Sequence, residues 1–210
     1  MQVRIIPIFE FSLRQSGSHC NEGFGGMQLK QIKFVLTANL ILFFWWAGGA
    51  HASEINLYGY PTQSTPYDHK NALTEVLRGP YPQTVYSPVE SVDRLFWKAK
   101  RFSYNEEKKG DDWQFPRETE KKQAGDCEDK ALWLYARLRE AGHKNLILAV
   151  GKHRSLDKGY HMWLMRVDED GSVLILDPTI QNRIWPLTAF EPGLYQPLFL
   201  FDGTQRYRCF

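Results

Sequence analysis

The chain has 210 residues, with 26 Lys+Arg against 24 Asp+Glu and 14% aromatics, a composition that excludes a disordered polymer. Residues 1–52 hold Arg4, Arg14, Lys30 and Lys33 against Glu10 and Glu22, so the following 158 residues carry 22 basic and 22 acidic side chains and lack the basic surplus of a nucleic-acid binder. That length suits one domain with its own core, and the three scattered cysteines, Cys20, Cys127 and Cys209, make neither a disulfide framework nor a paired-Cys zinc module.

Residues 1–26 show no periodic pattern and are expected to be a gene-model extension or a disordered prefix. From Met27 a cationic segment with Lys30 and Lys33, an apolar run from Phe34 to Ala50, and the small-x-small triplet Ala50-His51-Ala52 compose a secretory signal peptide over 27–52. The apolar run is near the short end for a membrane span. The expected location is therefore periplasmic or secreted, an oxidising setting in which an unpaired thiol is either put to use or a liability.

Residues 53–86 read as an irregular arm holding one short helix, capped by Asp68, running to Arg78 and stopped by Gly79-Pro80. The main domain is expected over 87–210. It opens on a helix with Ser87 as N-cap, Pro88 at its first position and Glu90 closing a capping box, with Val89, Val92, Phe96, Ala99 and Phe102 on one stripe. Asn105–Asp112 reads as a loop and Arg117–Gln123 as a solvated turn of helix. The next helix starts at Gly125-Asp126-Cys127 and ends at Gly142, with Ala131, Leu134, Tyr135, Leu138 and Ala141 facing a core and Asp126 as N-cap.

After Gly142 the period changes from helical to alternating. Strands are expected at Leu146–Val150, Tyr160–Val167 and Val173–Leu176, with a tight turn at Asp168-Glu169-Asp170-Gly171 and a stop at Asp177-Pro178. A further strand, Leu194–Phe201, contains Pro197, which favours a sheet edge. A helix followed by an antiparallel meander gives an α+β fold class.

One constellation carries chemistry. Cys127 begins a helix, where the dipole and unpaired N–H groups favour a thiolate, while Asp126, Glu128 and Asp129 oppose it. His161 starts a strand and can take the thiol proton. The tight turn should bring Asp177, at the end of the next strand, beside His161 to orient the ring. Nucleophile, base and orienter are thus Cys127, His161 and Asp177. The same residue types can hold zinc, but a structural site needs a fourth ligand, and His69, His143 and His153 are poorly placed to supply one.

The pentad Gly125-Asp126-Cys127-Glu128-Asp129, the later His161-Met162-x-Leu164 and Leu174-x-Leu176-Asp177, and the upstream Trp113-x-x-Pro116 together resemble the bacterial transglutaminase-like cysteine proteinases, the LapG-type periplasmic peptidases, over roughly residues 87–187. The resemblance implies a papain-like, transglutaminase-type core in which the helix bearing the nucleophile packs on an antiparallel sheet. It also implies the roles already given to Cys127, His161 and Asp177, a calcium ion on Asp126 and Glu128, and an inner-membrane regulatory receptor as partner. Lys130, Trp133, Trp163 and Pro178 depart from the family pattern. The oxyanion hole is expected to use the Cys127 backbone N–H and an upstream donor from Trp113 or Gln114. Cys209 is expected to be incidental, the alternative being a disulfide with Cys127 that silences the thiol.

The expected function is an exported, monomeric cysteine hydrolase that cleaves peptide or amide bonds of cell-envelope proteins and needs no cofactor for its chemistry. Acyl transfer to an amine on the same triad, as in a transglutaminase or amidase, and a non-catalytic binding module of the same fold are the alternatives.

Overall fold

A computed structural model describes residues 59–81, 90–105, 112–156 and 159–209. The leader over 27–52, the prefix before it, the capping pair Ser87-Pro88 and most of the loop expected at 105–112 lie outside the described residues. No helix among the described residues is long and apolar enough to cross a membrane.

The chain runs β1 (Tyr60–Pro61), α1 (Asn71–Arg78), α2 (Val92–Lys100), β2 (Ser103–Tyr104), α3 (Pro116–Lys122), β3 (Ala124–Gly125), α4 (Cys127–Glu140), β4 (Leu146–His153), β5 (His161–Val167), β6 (Val173–Leu176), β7 (Trp185–Pro186), a 3-10 turn (Leu187–Ala189), β8 (Tyr195–Asp202) and β9 (Gln205–Arg208). A seven-stranded antiparallel sheet has the order β1-β9-β8-β4-β5-β6-β7. Helix α4 packs on β4 and β5 and is covered by α1, α2 and α3. The α+β expectation of a nucleophile-bearing helix against an antiparallel sheet is met.

Helix α4 explains why the core sits where it does. Its side chains Ala131, Leu132, Trp133, Leu134, Tyr135 and Leu138 are all essentially inaccessible, on more faces than a single stripe provides, because helices cover the side turned away from the sheet. The helix ends in a Schellman motif. Gly142 takes the left-handed conformation at φ 97°, and His143 N–H donates to the Leu138 carbonyl at 2.9 Å. Glu120 on α3 ties the helical layer together by pairing with Lys98 on α2 at 2.8 Å and Arg137 on α4 at 2.7 Å.

Three sequence expectations shift. Helix α1 begins at Asn71 after Lys70, not at an Asp68 cap. The Asp68 carboxylate instead accepts from the Thr65 backbone and hydroxyl at 3.0 and 2.9 Å and from Arg206 at 2.8 Å, fastening the arm to β9. Helix α2 is capped by Ser91, whose hydroxyl accepts from Arg94 N–H at 3.3 Å. Glu90 therefore precedes the helix and pairs with Arg94 at 3.0 Å rather than completing a box with Ser87.

The third shift concerns Pro197. Strand β8 lies inside the sheet between β9 and β4, not at its edge. Proline is tolerated there because the β4–β8 register slips between Val150 and Gly151, so that Val150 faces Phe199 while Gly151 faces Pro197. A bulge removes the ladder bond that proline could not donate. Gly151 is the matching concession on β4, since a Cβ there would overlap the Gln196 carbonyl oxygen.

Gly151→Ala is accordingly expected to destabilise the fold by about 3 kcal/mol, at the upper end for overpacking because the obstacle is backbone. Urea unfolding followed by circular dichroism checks it; an unchanged midpoint would contradict the close approach of β4 and β8.

Candidate active site

Two short strands and a helix start place the thiol. Strands β2 and β3 pair in parallel, with Tyr104 opposite Gly125, and hold the chain immediately before α4. Gly125 is required at that point, because a Cβ would lie 2.5 Å from the Asp129 Cβ. The buried Asp129 carboxylate accepts from the Gln114 backbone N–H at 2.7 Å and from the Gln114 side-chain amide. The Trp113-Gln114 segment is thereby fastened to the first turn of α4, over the glycine that opens the pentad.

Cys127 is the first residue of α4, and the backbone N–H of Met162 is close enough to its sulfur to favour the thiolate. The thiol thus lies against the first residues of β5. Its own proton goes to Glu128 Oε2 at 2.9 Å. Burial, then the charge of Glu128 and this hydrogen bond, push the Cys127 thiol above its ordinary range, and the Met162 N–H only partly opposes them. Glu128 in turn is raised by burial and by the neighbouring Asp129, while hydrogen bonding to Cys127 and Asp126 works against the rise. Asp126 occupies the N-cap position with extended backbone but makes no capping bond with its side chain.

The predicted base and orienter meet. His161 Nε2 lies 2.7 Å from Asp177 Oδ2, with the two side chains 2% and 0% exposed. The antiparallel pairing of β5 and β6 across the 168–171 turn, with Leu164 opposite Leu176, carries them together. Burial alone would raise the Asp177 carboxyl, but the His161 ring, the Ile180 N–H and the Tyr195 hydroxyl hold it below the usual carboxylate range. With Asp177 ionised, the His161 Nε2 carries the shared proton, and Nδ1 is the basic nitrogen.

Several residues at this centre escaped the sequence reading. His153, considered in the sequence only as a zinc ligand, is buried at the end of β4 with its ring 6.1 Å from that of His161. Tyr195 donates to Asp177 Oδ2 at 2.9 Å. Lys130 is buried, gives its ammonium to the Phe102 carbonyl at 2.7 Å, and is held below its ordinary pKa first by burial and then by Lys100. Period-2 alternation extended three residues past Val150 would have put His153 and Gly151 on one face; nothing local in the sequence marks Tyr195.

Of the oxyanion candidates, Gln114 is 7% exposed and spends its backbone N–H and one side-chain amide hydrogen on Asp129. Trp113 stacks on Tyr67 at 5.5 Å, with the Lys70 ammonium 5.5 Å above its ring. Cys127 and Cys209 are free thiols, so the silencing disulfide is not formed here; burial pushes the Cys209 thiol up to about 11.

No family model matches the chain, and no curated protein matches it in sequence. Among solved structures, calcium-bound LapG from Legionella pneumophila is similar with a TM-score of 0.51 at 22% identity, covering 65% of this chain and 74% of that one. EGTA-treated LapG gives 0.51 at 22% over 66% and 73%, and a further LapG structure gives 0.50 at 21% over 65% and 74%. The chain shares the fold of LapG. That likeness is one of fold, and the positions of Cys127, His161 and Asp177 come from the geometry of this chain.

The Asp177 carboxyl sets a pH dependence. Its folded pKa lies below the unfolded value of about 3.9, so its contribution is complete above that value and is lost as pH falls through the lower folded one. Asp177→Asn is expected to cost about 2 kcal/mol at neutral pH, the scale of hydrogen bonds to a charged group, and to flatten the fall in stability below pH ~4. Unfolding free energies measured across acid pH test this; parallel curves for the two proteins would contradict it.

Proposed function

We propose that the protein is an exported cysteine hydrolase that cleaves peptide or amide bonds in cell-envelope proteins, with Cys127, His161 and Asp177 as its triad. The observation that carries the reading is a thiol at a helix start, held against the strand whose first residue is an imidazole bonded to a buried carboxylate. A periplasmic or secreted location, a monomeric state and control by an inner-membrane receptor belong to the same proposal.

The chemistry follows from the tautomer. His161 Nδ1 takes the Cys127 proton, and the sulfur attacks the substrate carbonyl carbon while the C=O electron pair moves onto oxygen. The Cys127 backbone N–H, unpaired within the first helical turn, supports that oxyanion, and Trp113 on the anchored upstream segment is the second donor. Collapse breaks the C–N bond as Nδ1–H protonates the leaving amine, giving a thioester. Nδ1 then removes a proton from water, the hydroxyl displaces sulfur, and the thiol regains its proton. Asp177 keeps its negative charge throughout and stabilises the imidazolium.

The thiol bonded to Glu128 is a protonated, resting arrangement. Asp126 and Glu128 are hard oxygen donors close to one another on either side of that thiol in sequence, a donor set that fits calcium; among the described residues no three His, Cys, Asp or Glu side chains gather as a metal cluster, so further ligands would be backbone oxygens and water. A bound divalent cation would supply positive charge that favours the thiolate. Calcium-bound and EGTA-treated forms of LapG support the choice of metal.

Iodoacetamide is expected to label Cys127 rapidly near neutral pH in the calcium-supplemented protein, and His161→Ala to slow it by about 100-fold, as for loss of a general base. The same preparation should generate new N-termini in envelope proteins that Cys127→Ala does not. Labelling no faster than in unfolded chain would reject the enzyme reading; incorporation of an amine probe without new N-termini would replace hydrolysis by acyl transfer.

For the metal, saturating calcium is expected to raise the melting temperature by several degrees relative to EGTA, an effect that Glu128→Ala removes. Equal melting temperatures in calcium and EGTA would exclude a native-state site.

A further inference from the structure

We propose that Tyr195 is a positioning residue for the His161–Asp177 pair, its hydroxyl proton determining which lone pair of the buried carboxylate the imidazole uses. The inference rests on the hydrolase reading and specifies how its base is held.

Asp177 is surrounded by donors. Oδ1 accepts from the backbone N–H groups of Thr179 and Ile180 at 3.1 and 3.2 Å. Oδ2 accepts from His161 Nε2 at 2.7 Å and from the Tyr195 hydroxyl at 2.9 Å. A carboxylate offers about four lone-pair sites, and these four donors account for them. The Gln181 side-chain amide donates to the Tyr195 oxygen at 2.9 Å, which leaves the phenolic proton directed to Asp177. A chain of three hydrogen bonds therefore runs from Gln181 through Tyr195 and Asp177 to His161.

The sheet makes this arrangement rigid. Strand β4 pairs with β5 at Gly151 and His161 and with β8 at His153 and Tyr195, so the two partners of Asp177 arrive from strands on either side of β4. The Tyr195 ring is held by His153 at 4.5 Å, Phe190 at 5.1 Å and Trp163 at 5.1 Å between centroids. Burial and then the Asp177 charge keep the phenol protonated well beyond its ordinary range, so it remains a donor. The other ionisable groups acting on Asp177 are His161 on β5, His153 on β4 and Lys130 on α4.

Phenylalanine at 195 would keep the ring packing and remove only the donor. Oδ2 would then direct its charge to His161 alone, strengthening that bond while freeing the carboxylate to rotate. Tyr195→Phe is expected to move the His161 Nε2 proton resonance downfield and to slow Cys127 alkylation by iodoacetamide about tenfold, with the melting temperature nearly unchanged; about tenfold is the consequence of one lost orienting interaction. Gln181→Ala is expected to shift both readouts the same way by less, and it decides the matter if Tyr195→Phe does not fold.

The resonance is also read in Cys127→Ala protein, where no thiol chemistry contributes. A shifted resonance with a wild-type thiol that is unreactive would reject the hydrolase and uphold the positioning role. A reactive thiol with an unmoved resonance and unchanged alkylation in Tyr195→Phe would overturn the role of Tyr195 alone.

Discussion

A carboxylate removed from water must receive hydrogen bonds from every direction, and the requirement at Asp177 organises the sheet side of the candidate site. The side chain is 0% exposed, so its charge would be prohibitively costly without donors. Those donors come from three places: the turn that follows β6, the start of β5 and the start of β8. None can move independently without uncovering the charge. The His161 ring is therefore aligned by the same contacts that make the burial of Asp177 tolerable, and orientation of the base is a by-product of folding rather than a separate device.

Asp129 plays the corresponding part on the helical side. It is also 0% exposed, and its donors are the backbone and side chain of Gln114, brought across the opening of α4. The absence of a side chain at Gly125 makes room for it. The pentad at the head of α4 thus divides into two functions. Its first and last members, Gly125 and Asp129, form a joint that fixes the upstream segment beside the thiol, while Asp126 and Glu128 set the charge around Cys127. A sequence pattern that looks uniformly acidic contains one structural carboxylate, buried and paid for by Gln114, and two that perturb chemistry.

Much of this was readable in the sequence, and what was not shares a cause. Helix α4, strand β6 and the turn at 168–171 follow from local periodicity and turn residues, and so does the meeting of His161 with Asp177, which needs only a hairpin. Strand order is another matter. The position of β8 between β9 and β4 depends on contacts between residues about fifty apart in sequence, and Tyr195 and His153 acquire their places only through it. Pro197 misled for the same reason, since a bulge opposite Gly151 is a property of two strands. The start of α2 went astray because Ser87 and Ser91 are both credible caps; the helix begins after the one that leaves Glu90 outside, with its carbonyl accepting from His143 at 2.7 Å.

The electrostatics of the thiol connect these parts. A helix N-terminus favours an anion by a fraction of a charge, an effect worth about 1 kcal/mol, while burial first, and then the charge of Glu128 beside the sulfur, push the Cys127 thiol the other way. Asp177 is itself an anion and cannot compensate a thiolate; its charge is taken up by its own four donors. In the proposed triad, transfer of the thiol proton from Glu128 to His161 would pair the thiolate with an imidazolium. Proton position at Cys127 is thus a competition between a carboxylate one residue along the helix and an imidazole on the facing strand. Whatever neutralises Glu128 shifts that competition toward His161, which makes Asp126 and Glu128, the two carboxylates flanking Cys127, the place where the state of this thiol can be controlled.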